Sequence, residues 1–142
     1  MAFSHGKAAV IKIDNAAGTL VDISAISNAG DLSNSVGTGE TTSFGSADKT
    51  FIAGLKDGTF SIGGSYDNTQ DAMITAMMDA IAAGTLATMS LEYYPAGNTT
   101  GKVKYACENI PTSYTISTPV GGVATFKLDL QRTGALAQTV VV

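Results

Sequence analysis

The chain has 142 residues, 44% of them apolar, which fits one domain over residues 1–142 able to bury about 70% of its unfolded surface. Only 14% are charged, against about 25% in an average domain, so part of the surface is expected to face protein rather than water. The net charge is −4, with no run of like sign and no stretch interleaving Lys or Arg with aromatics, which argues against attraction to nucleic acid or to an anionic membrane surface.

The start, MAFSHGKAAVIKID, lacks the apolar core of a signal peptide, and no apolar run approaches the ~18 residues of a membrane span. Cys107 is alone, so no intrachain disulfide forms; together these predict folding in a cytoplasm. Lys7 to Asp14 reads as a strand, AAGT as a turn, and LVDISA as its partner strand. Residues 27–42 are rich in Ser, Asn and Gly and read as a long loop. Within it GTGET resembles a phosphate loop, but Asn34 stands where the first glycine is needed and Glu40 where the lysine is needed. TTSF and KTFIAG read as strands around a turn at 45–48, and Lys56-Asp57-Gly58 as a hairpin turn into TFSIGGSYD.

One segment changes period. Apolar residues at 73, 74, 77, 78 and 81 make a helical stripe, so a helix is expected over about 69–83. Asp67, Asn68 and Thr69 are the candidates to cap its start, Asp67 forming a capping-box-like pair with Gln70, and Gly84 supplies a C-terminal stop. Strands then resume in TMSLEYY, GKVKYACENI, TSYTIST and VATFKLDLQRTG. In the last, Ala124, Phe126, Leu128 and Leu130 alternate with polar residues, the signature of a half-buried strand. ALAQTVVV, 135–142, is an apolar, uncharged C-terminal arm, and 1–6 an N-terminal one. The fold class is α+β, mainly β: a β-sandwich or partly closed barrel with one flanking helix.

Reactive chemistry is sparse. His5 is the sole histidine and lies near the N-terminus, Cys107 sits in a strand pattern where it reads as a small core residue, and the 12 carboxylates are dispersed. No catalytic, cofactor-binding or metal-ligating set is expected. Met73, Met77 and Met78 are read as helix-to-sheet packing rather than a binding groove.

Taken in order, LVDISAI, the Asn/Ser-rich segment, ETTSFG (Glu40 to Gly45), KTFIAGLKDGTFSI (Lys49 to Ile62), the helix, LEYYPAG, GKVKYACEN and STPVGGVATFKLDLQRTG form a family pattern. From about Val21 to Gly134 the chain resembles the major tail tube protein of long-tailed, siphovirus-type bacteriophages. It is short for that family and lacks the immunoglobulin-like domain some members carry. The resemblance implies the phage tail tube fold and a structural virion protein: hexameric rings stacked into a hollow tube that serves as a conduit for genome delivery. It implies assembly in the host cytoplasm, a place in the virion tail, and contacts with the tape-measure protein and with tail tip and terminator proteins. DNA would pass transiently through the lumen, without membrane binding by this chain. Contacts between rings fall on the 27–42 segment, at Leu32, Val36, Glu40 and Thr41, a segment expected to be mobile in a free monomer. The C-terminal arm would dock on a neighbour through Leu136, Val140 and Val141. An acidic lumen would let a polyanion slide through, with Glu92 and Asp129 as candidates for its lining. Two alternatives remain at this point: the tube of a related secretion or prophage-derived injection apparatus, and a monomeric β-sandwich ligand-binding module.

Overall fold

A computed structural model describes residues 3–142. A 3-10 turn at Gly6–Ala8 leads into β1 (Val10–Asp14) and β2 (Leu20–Asp22); β3 (Ser27–Glu40) and β4 (Phe51–Ser65) follow. Then come α1 (Asn68–Ala82), β5 (Met89–Tyr94), β6 (Val103–Ser117) and β7 (Thr125–Val140). The seven strands form one sheet in the order β2-β1-β5-β6-β7-β4-β3, with every neighbouring pair antiparallel.

The sheet is open at β2 and β3 but rolls so that its two ends approach. The Phe60 and Tyr93 rings, from β4 and β5, meet edge to face with centroids 4.9 Å apart. Gly30 of β3 lies so close to β1 that an added Cβ would stand 2.8 Å from the Ile11 Cδ1 atom. The enclosed face carries the core: Ile11 and Ile13, Phe60 and Ile62, Met89 and Leu91, Cys107, and Phe126, Leu128 and Leu130. Each buried large side chain contributes about 1.5–3 kcal/mol. Phe126, Leu128 and Leu130 point inward as the alternation of that segment requires.

Helix α1 covers this core with Ile74 and Met77, both buried, so the methionine stripe is packing. Asp67 caps it by accepting the Gln70 backbone N–H at 3.1 Å, and Gly84 follows the C-cap at φ +79°, where a side chain would be strained. Only half of the expected capping box forms: the Asp67 backbone N–H makes no bond to the Gln70 side-chain oxygen, and the Gln70 side chain is buried.

Five expectations are corrected. The 27–42 segment is not a loop: Ser27–Glu40 is a strand paired along β4, from Ser27↔Gly64 to Glu40↔Phe51. Its pairing is carried by backbone groups while most of its side chains are exposed, so no apolar alternation marks it. TTSF instead lies in the connection after that strand, and Lys56-Asp57-Gly58 is not a turn but the middle of β4, opposite Asn34 to Val36. The C-terminal arm is not free, since β7 runs through Val140 and pairs with β6 at Ala106↔Ala137 and Val103↔Val140. GKVKYACENI and TSYTIST are likewise one strand, β6, in which Pro111 stands opposite Leu130 next to a register shift, the kind of site where strands tolerate proline. Of the N-terminal arm, residues 1–2 lie outside the described residues; Phe3 is exposed.

Candidate assembly surfaces

β4 pairs with β7 only over Ser65 to Thr59, the last pair being Thr59↔Gln131. Beyond it the β3–β4 hairpin leaves the sheet, and residues 51–58 of β4 pair with no strand but β3. The projecting ribbon is closed by the Thr41 N–H donating to the Thr50 carbonyl at 2.8 Å and by the paired Thr41 and Thr50 hydroxyls, also 2.8 Å apart. Gly45 takes φ +85° in the connection. The ribbon carries Val36, Phe44, Phe51, Ile52 and Leu55 in water, with Leu55 89% exposed and Phe44 fully so. A two-stranded ribbon is marginal alone, and clustered exposed apolar groups on a strand edge mark an association surface.

The residues expected to touch neighbours are distributed unevenly. Val36, Glu40 and Thr41 lie on this arm, whereas Leu32 packs against the core at its base. Leu136 also packs on the core, Val140 is half exposed opposite Val103, and the Val141 N–H donates to the Lys102 carbonyl at 2.9 Å. Glu92 and Asp129 project from the face away from the core, but neither is a free carboxylate. Asp129 accepts from the Ser61 hydroxyl at 2.8 Å and stands 4.0 Å from the Lys127 ammonium.

Glu92 belongs to a cluster that the sequence did not announce. It accepts from the Tyr94 hydroxyl at 2.6 Å and the Lys104 ammonium at 3.4 Å, and Lys12 stands 5.4 Å from the centre of the Tyr94 ring. Burial works to raise the Glu92 carboxyl, but the Tyr94 hydroxyl and the Lys104 and Lys12 charges outweigh it and hold it below its ordinary value. Burial first, then the bond to Glu92, pushes Tyr94 up to about 12. The register Lys12↔Glu92 brings these groups together across strands distant in sequence. A second cluster ties the helix to the sheet: Asp71 accepts from Tyr66 at 3.0 Å and from Tyr114 at 2.9 Å. Asp71 is thus more than a residue of the helix's first turn. Burial and the Asp71 bond raise the Tyr114 phenol well above its usual range.

Among the described residues no group of three or more His, Cys, Asp or Glu side chains is placed to hold a metal ion, and no helix is long and apolar enough to cross a membrane. The His5 imidazole accepts the Lys7 backbone N–H at 3.1 Å in the first turn. Cys107 is buried, and burial pushes its thiol up, away from the thiolate a nucleophile requires.

A rolled, open sheet with a sheet-derived ribbon extended into solvent defines a structural protein built to associate. Residues 4–138 match the phage tail tube protein family, and the chain belongs to that family. No curated protein matches the chain significantly. Among solved structures, the tail of an empty gene transfer agent particle, refined with C6 helical symmetry, superposes with a TM-score of 0.74 at 20% identity, covering 96% of this chain and 99% of that one. A chain of the anti-feeding prophage baseplate gives 0.70 at 12% identity, covering 98% and 95%. The SPP1 tail tube gives 0.68 at 13% identity, covering 99% of this chain and 81% of that one. The expected fold is therefore borne out, and the protein is a structural component of a virion tail tube.

Proposed function

We propose that this protein forms hexameric rings that stack into the hollow tube of a phage tail, the conduit for genome delivery. The observation that carries this reading is the β3–β4 arm, which leaves the sheet beyond Thr59 with its apolar side chains uncovered. Six-fold symmetry is supported by the C6 tail of the gene transfer agent particle. A ring needs a head-to-tail interface whose rotation closes, and stacking needs a second that does not close. The arm, with Val36, Glu40 and Thr41, supplies the contact between rings, and the half-exposed Val140 with Val141 and Leu136 faces a neighbour at the far end of β7. The tube encloses a tape-measure protein, ends at tip and terminator proteins, and passes DNA without base recognition. Because Glu92 and Asp129 are locally compensated, they give the lumen a weaker negative lining than free carboxylates would. The role is structural rather than catalytic.

The likeness to the anti-feeding prophage chains, including one from its tube-terminating cap, favours a second reading: the tube of a prophage-derived injection particle. Electron microscopy of purified, concentrated protein tests tube formation, and sequencing of flanking genes separates the two readings. Rings or tubes support both; a species that stays monomeric at every concentration, even with tail tip complexes added as seeds, rejects both.

A further inference from the structure

Arg132 is the only arginine in the sequence, and it is buried at 7% exposure on the inward face of β7. Its guanidinium makes no hydrogen bond and no ion pair with any described residue; the nearest carboxylate along β4, Asp57, is turned to the Gln131 amide at 2.8 Å and the Gly58 N–H at 2.8 Å. Gly58 makes room for it: an added Cβ there would stand 3.4 Å from the guanidinium carbon and 2.5 Å from the Ser33 carbonyl oxygen. The guanidinium opens instead on a cleft of about 270 Å³, lined by Asn34, Lys56, Tyr105, Leu136 and Gln138 as well. This cleft is the fork where β4 parts from β7 just past Thr59↔Gln131. The side chain is buried along its length, whereas the guanidinium nitrogens are not sealed off and reach the cleft, so the charge stands at the cleft wall where a carboxylate of another molecule can pair with it.

We propose that the fork is a carboxylate socket, filled by the arm tip of a second copy of this chain. Two cations, Arg132 and Lys56, line it, and the amides of Asn34 and Gln138 add donors beside them. Four carboxylates of the chain, Asp31, Glu40, Asp48 and Asp79, make no hydrogen bond or ion pair with described residues, whereas the other eight are engaged. Glu40, the last residue of β3, and Asp48, in the connection that carries the exposed Phe44, both lie at the projecting end of the arm, and they are the occupants. The socket rests on the tube reading for its partner but is tested apart from it.

The test uses the full chain. Arg132→Leu is expected to melt at or above the wild-type temperature, because it removes a largely desolvated charge that makes no hydrogen bond or ion pair within the chain, yet to raise the critical concentration for assembly about tenfold or more. Arg132→Glu abolishes assembly, and combining it with Glu40→Lys or Asp48→Lys restores it. In parallel, the Arg132 Nε–H resonance is followed as soluble protein is concentrated: it shifts in the wild type and stays fixed in the E40Q/D48N variant. A wild type that makes no tubes but shows this shift rejects the tube and keeps the socket. Wild-type assembly by Arg132→Leu, no restoration by either reversal, or a resonance indifferent to concentration overturns the socket.

Discussion

Three side chains add hydrogen bonds between helix and sheet to the packing of Ile74 and Met77. Asp71 accepts the hydroxyls of both Tyr66 and Tyr114, the latter 43 positions away. Asp71→Ala strands two partly buried hydroxyls and is expected to cost about 1–3 kcal/mol in urea unfolding of the monomer; a loss within experimental error would show that water replaces the carboxylate. The Glu92 carboxyl is held below its ordinary 4.5, so the folded state gains stability from it above that value and loses it as pH falls through the lowered folded value. Glu92→Gln should therefore flatten the decline of melting temperature below about pH 4.5, while leaving the neutral-pH curve shape intact. An unchanged acid slope would mean that the Tyr94 and Lys104 contacts do not favour its charged form. Neither cluster was legible beforehand, because each depends on cross-strand register rather than on spacing along the chain.

At the scale of elements, the legible parts were those with one dry face. β7 announced itself through Phe126, Leu128 and Leu130, and α1 through its stripe, its Asp67 cap and Gly84. β3 did not, because Gly30, Gly37 and Gly39 share a strand of little buried surface with five Ser and Asn residues, and turn chemistry is what such a composition suggests. The C-terminal segment misled for another reason: its pairing with β6 comes after an irregular stretch at Gly134, φ +82°, which breaks the apolar rhythm. That pairing gives the segment a part in the monomer as well as in assembly. Deleting 135–142 removes the Leu136 contact and the Val103–Ala106 pairings, so the truncated chain should lose about 2 kcal/mol or more of monomer stability, read by urea unfolding, as well as the ability to assemble. An unaltered unfolding midpoint would show those pairings to be dispensable. The arm behaves oppositely. Phe44→Ser with Leu55→Ser touches only exposed side chains and should shift monomer stability by no more than about 0.5 kcal/mol while blocking assembly in a pelleting assay. Normal pelleting by this variant would remove the arm from the interface.

For the molecule as a whole, the sparse charge, the uncovered ribbon and the open sheet edges fit a subunit completed by its neighbours. Edges that would be an aggregation hazard in a monomer become seams when copies pair along them. The sequence pointed to this function through a pattern of strands and turns, while the direction in which the arm projects, and the fork at its base, are set by where β4 and β7 stop pairing. Cryo-electron microscopy of the assembled full-length chain tests the central claim most directly. The expected result is a hollow tube with six copies per ring, each β3–β4 arm lying against the adjacent ring with Phe44 and Leu55 covered. A filament of another rotational symmetry, or arms that stand in solvent, would contradict it.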